Sequence, residues 1–429
     1  LDSPIKNRHH LRQEAGSHAA GREKKESLFM AFGHQKVESR RLLLREISQR
    51  GPLPRIDLAA RTGISRATVT SITAELLRGG LIEEVPRESR NDDAARGRPR
   101  IDLKIAGGAH LIAGLKVSEA AMSLVLMDFD GMDVAHHEHK IAPHHHAPDA
   151  LADEVFAGLT ALAGLAGCAV SDISAVGVGL AGVVDAGNGV VYWSPSLDRR
   201  NVPFAALLSA RLGIAAYIDN DANLVATAEL TFGIGKNHSD FIVITIESGV
   251  GMGMVLGGQL YRGTRGCGAE FGHTKVHLDG ALCRCGQRGC LEAYVADYAL
   301  MREANSVGSV TETKPTSKAV TAVLAAAKAG DPTARTVIER AGKMFAMGLA
   351  NLVNIFDPEL IILAGEQMQF DHLYADVVIE EMRKSIVDID KPAPEVVVHK
   401  WDTLMWARGG AAYALEFVQD TAVEALEDA

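Results

Sequence analysis

The sequence predicts a winged helix-turn-helix head followed by a larger α/β body. Three observations predict it. Residues 36–85 carry apolar residues at helical spacing, interrupted by glycines. From about residue 109, apolar strands alternate with helices and glycine-marked turns, the pattern of an α/β domain. The charge divides at the same place: residues 1–107 hold 21 Lys+Arg against 14 Asp+Glu, and the remainder holds 23 against 40. A basic head on an acidic body points to a nucleic-acid-binding module fused to a part that does not bind nucleic acid.

The bulk numbers agree with several domains. At 429 residues and 47% apolar composition, two or three domains with a sizeable core are expected. No run of about 18 apolar residues occurs, which argues against a membrane span. Leu1–Lys25 is polar and charged and lacks the apolar segment of a secretory leader, so a cytoplasmic protein is expected. Reduced cysteines go with that compartment.

Within the head, residues 1–35 read as a polar arm and 36–107 as the DNA-binding domain with its linker. A first helix over Glu38–Gln49 places Leu42, Leu43 and Ile47 on one face, and Gly51-Pro52 ends it. A second helix, Arg55–Thr62, closes at Gly63. The third starts at Ser65, a good N-cap, and runs to Arg78, with Val69, Ile72 and Leu76 facing inward. That leaves Ser65, Arg66, Thr68, Thr70 and Ser71 for a DNA groove, where hydroxyls reach phosphates or base edges and Arg66 reaches guanine or phosphate. Leu81–Val85 and Arg100–Ile105 read as paired strands, and the charged loop between them as a wing. Arg96, Arg98 and Arg100 of Arg96-Gly-Arg-Pro-Arg100 suit a minor groove, a flexible linker being the alternative.

In the body, strands are expected at Leu111–Val117, Ala121–Asp128, Ala175–Leu180, Ala215–Ile218, Phe241–Ile246 and Leu360–Leu363. Helices are expected at 149–166, 202–211, 222–231, 291–305, 317–328, 332–354 and 371–386. His136, His137, His139 and His144 to His146 cluster in a strand and following loop. No Cys or carboxylate stands at ligand spacing there, so a solvated segment is expected.

Three of the five cysteines, Cys283, Cys285 and Cys290, fall within eight positions, ten residues after His273. Three thiols and an imidazole make a complete tetrahedral set for Zn2+. With four protein ligands no position is left for water, so one structural zinc per chain is expected. Cys267 is a possible substitute ligand, and Cys168 reads as a buried small residue.

Gly51-Pro-Leu-Pro-Arg-Ile-Asp-Leu-Ala-Ala-Arg-Thr-Gly-Ile-Ser-Arg-Ala-Thr-Val-Thr70, Gly97-Arg-Pro99, Glu270-Phe-Gly-His273 and Cys283-Arg-Cys-Gly-Gln-Arg-Gly-Cys-Leu-Glu292 together resemble the ROK family, over about residues 36–415. That family joins sugar kinases with sugar-responsive repressors, and the chain resembles the repressor branch. The resemblance implies a two-lobed actin-like body: a first lobe over 108–220, joined by a C-terminal helix at about 403–420, and a second over 221–402 with the zinc loop. It implies sugar contacts at Gly182, Asn220, Asp221, Glu270, His273 and Glu292, with Asp221 at the kinases' general base. Ser196 stands where kinases usually have Asn. Carboxylates suit a sugar independently of the family, because each accepts from hydroxyls and one can bridge two.

The resemblance also bears on catalysis. Active members carry Asp-x-Gly-Gly-Thr-Lys after the first strand. Here Lys116 replaces the acid, and Ser118-Glu-Ala120 replaces the glycine turn. Glu119 adds negative charge where phosphates would sit. Glu247-Ser-Gly-Val-Gly251 and Leu363-Ala-Gly-Glu366 are partial remnants of the other nucleotide turns. The expectation is a regulator without phosphoryl transfer, a repressor of a double-stranded DNA operator, modulated by a small neutral sugar; the alternative is an active ATP-dependent sugar kinase carrying a DNA-binding head. Paired DNA-reading heads imply a homodimer or a dimer of dimers.

Overall fold

The computed structural model describes residues 35–86, 101–143, 145–306, 317–365, 373, 375–400, 402 and 404–426. The chain divides into two compact units, one of residues up to Ala109 together with Glu416 onward, the other His110–Leu415.

The head contains α1 (residues 35–50), α2 (Arg55–Thr62), α3 (Arg66–Arg78), β1 (Ile82–Pro86) and β2 (Ile101–Ile105). α2 stops at Gly63, whose left-handed backbone lets its N–H donate to the Ala59 carbonyl. Ser65 caps α3 by accepting from the Thr68 N–H. Val69, Ile72 and Leu76 are buried as expected. The apolar face of α1 is turned from its expected place. Leu42 is 43% exposed, whereas Leu43, Leu44 and Ile47 are buried. Arg40, Leu43, Leu44 and Ile47 form an i, i+3, i+4, i+7 stripe, and Leu42 lies off it. Arg40 is therefore buried on the core-facing side, where its guanidinium donates twice to Glu75 of α3, at 2.8 and 2.6 Å. β1 and β2 pair antiparallel from Ile82↔Ile105 to Pro86↔Ile101. The wing between them lies outside the described residues, with Arg96, Arg98 and Arg100; so does the arm up to residue 34.

The C-terminal helix, expected at about 403–420, divides between the two units, with Met405–Leu415 in the body. It spans Met405–Ala425, and its residues from Glu416 group with the head and not with the first lobe. There Gln419 donates to Ser48 Oγ (3.2 Å), and Asp420 pairs with Arg45 (3.2 Å).

The body holds two five-stranded sheets. The first is built from β3 (Leu111–Val117), β4 (Ala121–Asp128), β5 (Asp133–Lys140), β6 (Ile173–Leu180) and β9 (Ala215–Asn220), in the order β5-β4-β3-β6-β9. A small hairpin, β7 (Val183–Asp185) and β8 (Val190–Trp193), follows β6. The second sheet is built from β10 (Phe241–Ile246), β11 (Val250–Leu256), β12 (Gln259–Leu260), β13 (Leu360–Ala364) and β14 (Glu395–Val398), in the order β12-β11-β10-β13-β14. Both sheets follow one plan: an antiparallel three-strand meander, then two parallel strands added beside the first.

Helices α4 (Pro148–Ala166) and α5 (Phe204–Leu212) pack against the first sheet. Helices α7 (Glu292–Val295), α8 (Asp297–Ser306), α9 (Ser317–Lys328), α10 (Pro332–Phe356) and α11 (Asp376–Ser385) serve the second. The single helix expected over 291–305 is two, because Ala296 is extended (φ −71°, ψ 158°).

Helix α6 (Asp221–Thr231) is buried from Ala222 to Glu229, so it is a core helix and not an amphipathic one. It packs with Met405 and Trp406 of the C-terminal helix, α12 (Met405–Ala425), against Phe241 and Val243 of β10. Close approach here depends on glycine: a Cβ on Gly177 would overlap the Gly410 carbonyl, and one on Gly409 would overlap the Leu224 carbonyl. His136, His137 and His139 lie on β5, and His139 pairs with Glu154 (2.9 Å). His144 lies outside the described residues. No helix among the described residues is long and apolar enough to cross a membrane.

Candidate functional site: an acid-lined wall beside a thiol-imidazole cluster

One side of the site is the junction of β9 and α6. Asn220 caps α6: its side-chain oxygen accepts from the Ala222 N–H (2.9 Å), and its amide nitrogen donates to the Gly182 carbonyl (2.9 Å). Asn220 thus holds Gly182 beside the first residue of α6, Asp221. Gly182 has φ +115°, and a Cβ there would overlap the Trp193 carbonyl. Beneath them Asp219 is fully buried. It accepts from Arg262 Nε (2.8 Å) and Asn223 Nδ2 (2.8 Å). Burial still pushes its carboxyl above the ordinary range, against the pull of both partners. Arg262 also lies over the Tyr413 ring, 4.8 Å from its centre. It therefore ties the loop leading toward Glu270 to the base of this junction. Neither Asp219 nor Arg262 was found by sequence reasoning; they stand 43 residues apart, and no local pattern links them.

The other side comes from the loop 261–292. Glu270 precedes a short 3-10 turn, Phe271–His273. Glu292 opens α7 and is nearly buried. Its carboxylate accepts from the Val250 N–H (3.3 Å) and the Tyr298 hydroxyl (3.3 Å). Partial burial raises the Glu270 carboxyl above its ordinary value. His273 opposes the shift, and the negative charges of Glu292 and Asp221 reinforce it. The three acids expected from the sequence are thus electrostatic neighbours. Ser196 is buried, and its N–H donates to Ser194 Oγ.

His273, Cys283, Cys285 and Cys290 each bring one donor atom into a group spanning at most 4.8 Å. Cys285 and Cys290 sulfurs are 3.7 Å apart, as are Cys283 Sγ and His273 Nδ1. A tetrahedral site with metal–sulfur bonds of about 2.3 Å has sulfurs about 3.8 Å apart, so the donors can hold a metal ion. Lys275 Nζ donates to Cys290 Sγ at 2.9 Å. This lysine too was missed, though it lies only two residues after His273. Cys267 is outside the group, and its thiol faces the Arg265 carbonyl.

In the head, Ser65, Arg66, Thr68, Thr70 and Ser71 are all exposed at the start of α3. Three of the hydroxyls also have local partners: Ser65 Oγ serves the cap and bonds Thr68 Oγ1 (2.8 Å), and Thr70 Oγ1 donates to the Arg66 carbonyl.

The ROK family model matches residues 113–416, and the MarR family model matches residues 38–91. The chain is 28% identical to the xylose repressor of Bacillus spizizenii over 76% of its own length and 82% of that protein's. It is 31% identical to a glucokinase of Streptomyces coelicolor over 64% of its length and 86% of the enzyme's. The crystal structure of a ROK family transcriptional regulator, described as a homologue of Escherichia coli Mlc, superposes with a TM-score of 0.77 over 92% of this chain and all of that one, at 22% identity. That likeness shows the same fold, the helical head together with the two-sheet body. With a family match covering most of its length, the chain belongs to the ROK family.

Proposed function

We propose that the protein is a sugar-responsive DNA-binding transcriptional regulator, a repressor whose operator affinity changes when a neutral sugar binds in the body. The observation that carries this reading is the convergence of Asp221, Glu270 and Glu292 in a chain that also bears a helix-turn-helix. Three carboxylates with His273 present acceptors to adjacent hydroxyls of a polyhydroxylated ring. They would repel a sugar acid. Gly182 and Asn220 complete the pocket by keeping backbone close to the ring. The repressor among the relatives supports the direction of the response.

In this reading Zn2+ is structural. His273 and the three cysteines close its coordination, and the ion would fix the loop that carries Glu270 and Glu292. In the head, Ser65, Arg66, Thr68, Thr70 and Ser71 contact an operator, with Arg96, Arg98 and Arg100 of the wing. Two heads in a homodimer, or in a dimer of dimers, would read paired half-sites. The body is not an enzyme in this reading, because Lys116 and Glu119 occupy the place of a phosphate-binding turn and Glu247 adds an acid to the facing one.

Fluorescence anisotropy with duplex DNA from upstream of its own gene, titrated with D-xylose, D-glucose and N-acetyl-D-glucosamine, tests the proposal. A sugar that weakens DNA binding is the expected result, and equal DNA affinity across a full sugar panel would sink it. The glucokinase relative and the retained Asp221 favour a second reading, a sugar kinase. Sugar-dependent ATP consumption abolished by Asp221→Asn would establish that one instead.

A further inference from the structure

Lys116 and Glu247 join the two sheets of the body. Lys116 lies near the end of β3, the central strand of the first sheet; Glu247 follows β10, the central strand of the second. The Lys116 ammonium is 3.1 Å from Glu247 Oε2 and 3.7 Å from the centre of the Trp406 ring. Only 11% of the lysine side chain and 28% of the glutamate side chain are exposed. Lys116 is the penultimate residue of β3, just before the β3–β4 turn, and Glu247 opens the β10–β11 turn. Here a cation on one side and an anion on the other bridge them directly.

Both ends of the pair abut the acid-lined site. On the first sheet, Lys116 pairs with Gly179, and Gly179 with Asp219, the residue before Asn220 and Asp221. On the second, the turn that begins at Glu247 ends at Val250, whose N–H holds the Glu292 carboxylate. The Glu247 carbonyl accepts from the Asp297 N–H at the start of α8 (3.2 Å). A change in the distance between the two turns therefore moves Asp221 relative to Glu292.

We propose that Lys116 and Glu247 are a positioning pair that keeps the two walls of the sugar site in register. The inference rests on the sugar-sensor reading. Removing one member takes an opposite charge away from a partly buried group, which favours separation of the turns.

Isothermal calorimetry on the full chain, with D-glucose, D-xylose and N-acetyl-D-glucosamine as probes, tests the pair. Lys116→Met and Glu247→Gln should each weaken the best-binding sugar roughly tenfold, within the range of such couplings. The double variant should bind no worse than either single one, and Lys116→Arg should bind like the wild type. Wild-type affinity in Lys116→Met, or losses that multiply in the double variant, would overturn the proposal. Amide exchange without sugar is the second readout. Protection at residues 247–250 should fall in Lys116→Met and return in Lys116→Arg; unchanged protection also overturns the proposal. This arm stands even if no sugar binds the wild type, an outcome that would count against the sensor reading itself.

Discussion

His273 and Glu270 face each other at 4.0 Å through Nε2 of the imidazole, while Nδ1 of the same ring faces the Cys283 sulfur at 3.7 Å. One ring therefore serves two neighbours. If Nδ1 binds a metal ion, the proton is held on Nε2, which points toward the acid-lined wall. Metal occupancy and the acid-lined wall are then linked through a single side chain.

Elemental analysis should find one zinc per chain. Cys283→Ser should lower that content and reduce the melting temperature by about 5–10 °C, as loss of a tightly bound ion does. Chelation of the wild type should reproduce both effects, and full metal retention by the variant would count against the site.

Glu270→Gln and Glu292→Gln should each weaken sugar binding by about 1.5–3 kcal/mol, the size of a hydrogen bond to a charged group. Calorimetry with the responsive sugar reads the loss. The raised Glu270 carboxyl adds a pH dependence. The ionised form accepts from the sugar, so affinity should decline as pH falls through a value above the ordinary glutamate pKa of about 4.3. For folding the sign reverses. A raised acid favours the native state while protonated and opposes it once pH rises through that value, so Glu270→Gln should increase stability at neutral pH.

Arg66→Ala should weaken operator binding by about 1–3 kcal/mol. The slope of affinity against salt tells which contact is lost. A phosphate contact lowers the slope by about one, and a base contact leaves the slope and relaxes sequence preference. Operator binding equal to wild type would remove Arg66 from the interface.

Glu75→Gln tests the bond that joins α1 to α3. Burial raises the Glu75 carboxyl, but the bonds from Lys36 and Arg40 outweigh it and leave the pKa below the ordinary value. The stabilisation is therefore complete above the unfolded pKa and lost as pH falls through the lower native one. Chemical denaturation at neutral pH should show a loss of about 3 kcal/mol, since Arg40 stays buried. At pH 2–3 wild type and variant should converge.

Local patterns made much of this legible from sequence. Gly63 and Ser65 mark the turn between two helices, and each works through its own backbone geometry or a neighbour three residues away. The thiol cluster was legible because its ligands fall within one short loop and its approach. Long-range relationships were not. Asp219 finds Arg262, and Lys116 finds Glu247 131 residues along the chain, only after the sheets have assembled. Leu42 misled because three consecutive leucines fit two neighbouring helical faces; the Arg40–Glu75 bond fits only one. The repeated strand plan was hidden as well, since topology can recur where side chains do not.

The crossing of Gly177 and Gly410 has a consequence for genetic experiments. A saturation library should return almost no survivors at either position, because even alanine places a carbon atom inside a carbonyl. Neither glycine is among the residues assigned to sugar, metal or DNA. Intolerance in such a screen would therefore draw a map of where backbones touch, and separating that map from the one of ligand recognition requires an assay that measures abundance apart from response.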